Sequence, residues 1–291
     1  MRLSSKNGGA KMYGKNLMLI IISIWVLLFI VLPVSAMLLF SFWSVENFQV
    51  IHSFNIQNYA KFFHDPIYLS LFGKTIKLAL IVAVLSALIS YPLALFVNHR
   101  GGTYKTILFL GVLAPLWVGY LVRIYSWRSI LGESGFINSL LVLTGILKQP
   151  SSSLLFNSFA VVITMLCISI PFTFIPIYSA IEKIPGNLAQ AAADLGANGS
   201  RAFWTVTFPL SLPGVVTGFM FAFITSFGDY MTPSLVGGTS GIMYGNIIQT
   251  QFGNSYNWPL GAALSMIMLL FILALIAATR KIGNVQAIFE E

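Results

Sequence analysis

Asp229 is the residue whose surroundings in this sequence point most directly to chemistry. It lies in the stretch SFGDYMTP, residues 226–233, within or at the end of a long apolar run. An ionisable side chain at membrane depth costs at least ~2.5 kcal/mol on insertion scales, so it usually faces a bundle interior or a water-filled path. Two interpretations stay open: Asp229 lines a substrate path, or it is a structural carboxylate paired with a basic residue such as Arg123. We favour the substrate path, because intramembrane acids are so often functional.

Other arrangements that could perform catalysis or hold a cofactor are missing from the sequence. The three histidines, His52, His64 and His99, fall in different loops, where solvation explains them better than metal binding does. No GxxxxGK[ST] loop is present, so the chain does not bind ATP by that means. The single Cys167 allows no internal disulfide and suits a small buried hydrophobic position. We therefore expect no catalytic residue, no metal site and no cofactor in this chain.

The composition predicts a polytopic helical membrane protein. Of the 291 residues, 57% are hydrophobic and 8% are charged, whereas soluble domains carry ~25% charged residues. The net charge of +8 could suggest nucleic-acid binding, but no dense basic run with interleaved aromatic residues occurs. We therefore expect an all-α fold in a lipid bilayer, with no nucleic-acid partner.

Six apolar runs are long enough to cross a bilayer, which takes roughly 20 residues. Their approximate bounds are 17–42, 70–97, 106–130, 154–181, 212–235 and 258–279. The first run competes with a secretory signal peptide, since residues 34–36 resemble a cleavage site. It is longer than the ~7–15 residues of a signal core, which favours a retained span. Prolines inside several spans favour a packed bundle around a cavity, because freed carbonyls must be satisfied within protein or water.

Six spans place both termini on one side of the membrane. With the N-terminus inside, ten of the sixteen basic residues fall on the cytoplasmic side, in agreement with the positive-inside rule. The sequence then divides into a cytoplasmic N-terminal segment, 1–16, a six-span domain, 17–281, and a cytoplasmic tail, 282–291. The long polar segment 186–214 between the fourth and fifth spans also becomes cytoplasmic.

The polar segment 186–214 predicts two short helices. Asn187 is placed to cap the first helix, with Gln190 three residues later in a capping-box-like arrangement, and Gly196 ends it. One face of this helix carries apolar and small side chains: Leu188, Ala191, Ala192 and Leu195. Asn198 or Ser200 can cap the second helix, which Pro209 is expected to stop. Small residues permit close approach to a rigid groove on another protein, although an ordinary loop helix would show the same pattern.

The polar segment resembles the EAA loop of inner-membrane permease subunits of ATP-binding-cassette importers. The family pattern is Glu-Ala-Ala, three residues, Gly, nine residues and Ile-x-Leu-Pro. This chain has Gln190-Ala191-Ala192, then Gly196, then Val206-Thr207-Phe208-Pro209 at the same spacing. The neutral Gln190 stands where the family usually has Glu. The resemblance implies that the loop at 182–211 couples to the ATPase, through Gln190, Ala191, Ala192, Asp194, Gly196 and Pro209.

Four further stretches, 121–127, 227–238, 245–249 and 257–261, resemble the spermidine/putrescine branch of these permeases. A polyamine carries several ammonium groups, which carboxylates and aromatic faces along a path would suit. The substrate-path residues that this resemblance implies are Asp229, Tyr230, Phe227, Tyr125 and Trp127. The implied substrate is spermidine-like or putrescine-like, and another small solute of the same importer family is the alternative.

The resemblance also implies an assembly. The chain would form half of a translocation pathway in the bacterial inner membrane, beside a second homologous permease, two copies of an ATPase and a periplasmic substrate-binding protein. ATP and magnesium would bind to the ATPase. An ion-coupled carrier or channel would also show six spans and an intramembrane acid, but it would need no capped docking helix. A membrane enzyme would need converging His, Asp or Cys side chains, and the sequence offers none.

Overall fold

The computed structural model describes residues 18–46 and 49–283. The predicted cytoplasmic segment 1–16 lies outside these residues, as does the predicted tail apart from residues 282–283. The helices, numbered along the chain, are α1 Met18–Phe40, α2 Gln57–His64, α3 Pro66–Arg100, α4 Lys105–Leu113, α5 Tyr120–Leu131, α6 Phe136–Leu143, α7 Ser158–Glu182, α8 Gly186–Asp194, α9 Gly199–Ala202, α10 Phe208–Phe227, α11 Met231–Val236, α12 Tyr244–Phe252 and α13 Trp258–Gly283. Two short strands, β1 Ser44–Glu46 and β2 Gln49–Ile51, pair antiparallel with Val45 opposite Val50. The fold is therefore all-α, as predicted.

Five helical stretches are long and apolar enough to span a membrane. They are Met18–Phe40, Pro66–Arg100, Ser158–Glu182, Gly199–Phe227 and Trp258–Thr279. A sixth is formed if the bent pair Gly102–Trp117 and Tyr120–Leu143 counts as one span. The six predicted spans therefore correspond to helices of the structure, with changed bounds and with one span broken.

The third predicted span, 106–130, is wrong as a continuous helix. Its two halves meet at an angle of 93°. The break follows the 3-10 turn Ala114–Trp117, where Pro115 has no N–H to donate to a helical hydrogen bond. Val118 is extended, and Gly119 precedes the first residue of α5.

The fifth predicted span, 212–235, is wrong at both ends. The helix starts at Gly199 and ends at Phe227, and the separate α11 follows it. The prediction that Pro209 stops the preceding helix is also wrong. A wide π-helical turn, Phe203–Thr207, directly precedes α10, and Pro209 lies in the first turn of α10. The helix continues through Pro209 although proline has no N–H to donate, and the π-helical turn widens the backbone directly before it.

The chain divides into two compact units. The first comprises the described residues up to His64 together with Thr250–Leu269, and the second comprises Asp65–Gln249 with the described residues from Leu270 onward. In the first unit, the side-chain amide of Asn58 on α2 donates to the carbonyls of Ser41 and Trp43, at 3.0 and 2.7 Å. These bonds hold α2 against the end of α1.

The second unit is built on α3, α7 and α10, which pack against one another. Hydroxyl groups join them inside an apolar core. Ser86 and Thr173 hydrogen-bond at 2.7 Å between α3 and α7, and Tyr91 and Ser211 do so at 2.8 Å between α3 and α10. Gly218 allows α10 to approach α7 closely, since a Cβ there would lie 2.7 Å from the carbonyl oxygen of Thr173. This frame positions the two regions described next.

Candidate functional site

A cavity of about 350 Å³ lies where α5, α7 and the α10–α11 junction meet. Its lining combines polar and apolar side chains, including Tyr120, Arg123, Ser169, Phe172, Asp229 and Tyr230. Elements distant in sequence therefore enclose the acidic residue that the sequence singled out. Within the described residues, no group of three or more His, Cys, Asp and Glu side chains is arranged to hold a metal ion.

Asp229 is held by hydrogen bonds to both of its carboxylate oxygens. Its Oδ2 accepts from the hydroxyl of Tyr120 at 2.5 Å. Its Oδ1 accepts from the backbone N–H groups of Met231 and Thr232 at 2.9 and 3.2 Å, which starts α11. A helix start favours a carboxylate, because its first backbone N–H groups have no partner within the helix and can donate to the carboxylate. Asp229 therefore has a structural role at the helix start and still faces the cavity.

Arg123 lines the same cavity but does not pair with Asp229. Its Nε and Nη1 atoms are buried and have no hydrogen-bond partner in the structure. Its guanidinium carbon lies 5.8 Å from the centre of the Tyr120 ring, and no ion pair within 4.0 Å joins it to an acid of the described residues. The interpretation of Asp229 as the partner of Arg123 is therefore wrong. Backbone groups and Tyr120 take the place that a basic side chain would occupy.

The other four predicted path residues lie in four different settings. Tyr230 lines the cavity with Asp229. Phe227 is 0% exposed and packs in an aromatic cluster, with its ring centre 5.5 Å from those of Phe72 and Phe223. Tyr125 is half exposed on α5 and lines neither this cavity nor its neighbour. Trp127 lines that neighbouring cavity, of about 550 Å³.

The two cavities share Arg123 and Ile168 in their linings. The guanidinium therefore stands between them. Sequence reasoning had no local signal for the contact between Tyr120 and Asp229, because 109 residues separate them. It identified the carboxylate from its apolar surroundings but could not identify the hydroxyl that holds it.

The second region is α8 with the turns around it. The predicted cap at Asn187 is wrong, because the residue that precedes α8 is Pro185 and no side chain caps the helix. The N–H of Leu188 instead donates to the carbonyl of Pro185 at 3.1 Å. The predicted end at Gly196 is confirmed: its φ is +82°, and its N–H donates to the carbonyl of Ala193 at 2.9 Å. A left-handed residue costs glycine little, which explains why the helix ends here.

Asn198 begins the helix that follows. Its Oδ1 accepts from the N–H of Arg201 at 2.8 Å, so Asn198 rather than Ser200 is the cap. Between the two helices, Leu195 is 90% exposed, and Leu188 on α8 is 38% exposed. The predicted coupling residues Gln190, Ala191 and Asp194 are also exposed, whereas Ala192 is partly buried. An exposed leucine directly after α8, next to the glycine that ends the helix, provides an apolar contact surface.

The sequence matches the family described as binding-protein-dependent transport system inner membrane components over residues 10–281. It is 34% identical over 248 residues to the spermidine/putrescine transport system permease protein PotB of Haemophilus influenzae, covering 84% of this chain and 86% of that protein. It is 31% identical over 272 residues to the PotB protein of Escherichia coli K12, covering 92% and 98%. Among solved structures, a bacterial ABC transporter involved in the import of the acidic polysaccharide alginate aligns with a TM-score of 0.70. That alignment covers 94% of this chain and 96% of the other at 17% identity, so the likeness concerns the fold alone.

Proposed function

Because the chain belongs to the family of binding-protein-dependent transport system inner membrane components, we propose that it forms half of the translocation pathway of a polyamine importer. Family membership makes it a multi-pass inner-membrane subunit of an ABC importer that works with a binding protein, and it argues against an ion-coupled carrier or channel. The substrate proposal rests on one observation above all: Asp229 faces the cavity with a carboxylate that a single phenol holds on its open side.

An ammonium group fits the chemistry of this site. It can donate to Oδ2 of Asp229, where the Tyr120 hydroxyl now donates, and it can lie against the face of Tyr230. Each ammonium of spermidine or putrescine could make these contacts in turn. The names of the PotB relatives support this substrate class, since those proteins are described as spermidine/putrescine permeases.

Arg123 sets the direction in which a polyamine would lie. Its positive charge disfavours a second ammonium nearby, so the rest of the molecule extends from Asp229 away from the guanidinium. The same residue favours a second candidate, a small solute with both an ammonium and a carboxylate. The buried Nε and Nη1 atoms of Arg123 lack acceptors, which a carboxylate would supply.

Energy enters this chain through the polar segment 186–214. In this proposal α8 docks on an ATPase subunit, with the exposed Leu195 and the small face of α8 in the contact. Gln190, Ala191, Ala192 and Asp194 lie on α8, Gly196 fixes its end, and Pro209 lies at the start of α10. ATP and magnesium bind to the partner ATPase, present in two copies. A second homologous permease completes the pathway, and a periplasmic binding protein delivers the substrate.

The topology follows from the position of the ATPase. Both termini and α8 lie on the cytoplasmic side, as the distribution of basic residues also favours. Closure of the ATPase pair moves α8, and α7 and α10, which flank the polar segment, tilt with it. The cavity at Asp229 is then exposed alternately to the binding protein and to the cytoplasm, which is transport by alternating access.

The experiment that tests this proposal is uptake by the full importer reconstituted in liposomes with all partner subunits. We expect ATP-dependent uptake of labelled spermidine that needs the binding protein and persists when ion gradients are collapsed. Excess putrescine should compete with it, whereas a zwitterionic amino acid should not. Uptake driven by an ion gradient without ATP would contradict the importer mechanism, and competition by the amino acid alone would favour the second candidate.

A further inference from the structure

Lys105 and Glu182 join the start of α4 to the end of α7. Their Nζ and Oε1 atoms lie 3.0 Å apart, in the ion pair that the structure shows among its described residues. The Nζ of Lys105 also donates to Oδ1 of Asn98 on α3 at 2.9 Å, and the Tyr178 hydroxyl donates to the same Oε1 at 3.0 Å. Three helices therefore meet at one small polar cluster, the Lys105–Glu182 pair with Asn98 and Tyr178.

One turn further along α4, aromatic side chains pack between α4 and α7. The ring centre of Phe109 lies 4.8 Å from that of Tyr178 and 5.9 Å from that of Phe174. The Nζ of Lys105 lies 5.5 Å from the centre of the Tyr178 ring. The ion pair thus lies directly beside an aromatic contact between α4 and α7.

The polar cluster is connected by short pieces of chain to both functional regions. From Glu182, three residues lead to α8, and this link is tightly turned, with the N–H of Ile184 donating to the carbonyl of Ile181 at 3.1 Å. From Lys105, α4 and the turn Ala114–Trp117 lead to Tyr120, whose hydroxyl holds Asp229. The path to α8 is three residues long, and the path to Tyr120 passes through α4, the turn Ala114–Trp117 and the 93° break after it.

We propose that Lys105 and Glu182 are positioning residues that transmit movement of α8 to Tyr120. Two routes then lead from α8 to the substrate cavity. One runs through α9 and α10 to Asp229, and the other runs through α7, the Lys105–Glu182 pair and α4 to Tyr120. The routes meet at the hydrogen bond between Tyr120 and Asp229, so a difference in their movements opens or closes the carboxylate to an ammonium. This inference rests on the proposed docking of α8.

The pair is suited to transmission rather than to stabilisation. The side chains of Lys105 and Glu182 are 33% and 50% exposed. Ion pairs this exposed contribute little to the stability of a fold. Losing the pair should therefore leave the helices assembled. It should, however, allow α4 to shift relative to α7.

The test measures movement at the cavity without requiring transport. Thr225 lines the cavity and is exposed, so Thr225→Cys in a Cys167→Ala background reports access of a membrane-impermeant thiol reagent. The full importer is labelled without nucleotide and after trapping with ATP and vanadate. Coupling between sites is typically about fivefold or more, and we expect the parent labelling rates to differ on that scale.

Three variants with reversed charges at Lys105 and Glu182 test the proposal. Lys105→Glu and Glu182→Lys each reduce the nucleotide-dependent change in labelling to less than half, with ATP hydrolysis retained. The double variant with both substitutions restores it, because the attraction is regained with the charges exchanged. Arg100→Gln, a charge change at the exposed end of α3, is the matched control and should behave like the parent.

Several results would overturn the proposal. Unchanged labelling in both single variants would do so, as would a double variant no better than either one. Glu182→Gln, which keeps an acceptor for Tyr178, covers the case in which charge reversal prevents assembly. If it too failed to assemble, the pair would be structural and the proposal wrong. Gly196→Val tests docking separately. A normal nucleotide-dependent change in labelling in that variant would contradict the docking of α8 and with it the movement that the pair is proposed to transmit. A change lost in Gly196→Val but kept in the charge variants would contradict the role of the pair alone.

Discussion

The cavity around Asp229 and the segment around α8 are built in opposite ways. Asp229 is held by a hydroxyl 109 residues away and by the start of the next helix, inside a packed bundle. The ends of α8 are set by neighbours within a few residues, and Leu195 directly after it is 90% exposed. The first region is therefore held by contacts within this chain, and we propose that the second is a docking surface for a partner. A substitution should therefore act on transport in the first region through substrate contact, and in the second through docking.

The largest effect is expected for Gly196→Val. Gly196 has a φ of +82°, and nothing lies within 4 Å of the position of an added Cβ, so the penalty is conformational rather than steric. A β-branched residue strongly disfavours this region, whereas Asn tolerates it. We expect Gly196→Val to abolish uptake with normal membrane insertion, and Gly196→Asn to keep a substantial part of it.

The matched control for this prediction is Gly186→Ala, at the other end of α8, where φ is not positive and the space is also open. It should transport normally. Uptake should be compared at equal amounts of membrane-inserted protein. Normal uptake by Gly196→Val would contradict the proposal that the segment around α8 acts through docking.

Tyr120→Phe tests the other region, the cavity around Asp229. The change removes the donor to Oδ2 of Asp229 and the 3.0 Å contact with the Thr232 hydroxyl, but keeps the ring. Hydrogen bonds to charged groups contribute about 1.5–3 kcal/mol. Uptake should therefore fall by about tenfold or more, because Asp229 loses the hydroxyl that holds its carboxylate in place. We expect stimulated ATP hydrolysis to persist, because α8 is untouched.

The control is Tyr125→Phe, on the same helix and exposed. Equal loss of uptake in both variants would indicate that the hydroxyl of Tyr120 has no special relation to Asp229. A loss of ATP hydrolysis in Tyr120→Phe alone would indicate that the cavity and the docking surface are not separable.

The smallest effect is expected for Leu195→Ser. Leu195 is 90% exposed, so its replacement should change the free energy of unfolding by no more than about 0.5 kcal/mol. Uptake and stimulated hydrolysis should fall together by several-fold, since a docking contact is weakened. Thermal unfolding of the purified importer, measured beside both activities, separates the two effects. A lower unfolding temperature with unchanged activity would contradict a docking role for this residue.

What the sequence could predict follows the same division. The end of α8 at Gly196 and the cap at Asn198 depend on neighbours within a few residues, and both are confirmed. The cap predicted at Asn187 is wrong, because the chain starts α8 directly after Pro185. Local signals therefore predicted the end of α8 and the start of the next helix, but not the start of α8.

The cavity was only partly predictable. Asp229 was visible as an acid in an apolar run, but its partners depend on the packing of α5 against the α10–α11 junction. The apolar run did not reveal the 93° break before Tyr120, because no charged or strongly polar residue interrupts the sequence between Gly111 and Val122. The resemblance to the spermidine/putrescine branch implied that Phe227 lines the path, and the structure places it in the aromatic cluster.

The most direct test of the central claim is spermidine uptake by the reconstituted importer with Asp229→Asn. The amide keeps the size of the side chain and an acceptor for α11, but it loses the charge that would bind an ammonium. Glu133→Gln, outside the cavity lining, is the matched control. We expect uptake to fall by about tenfold or more in Asp229→Asn, on the scale of a lost charge contact, with assembly and ATP hydrolysis retained. Uptake equal to that of the control would contradict a role for Asp229 in binding the substrate.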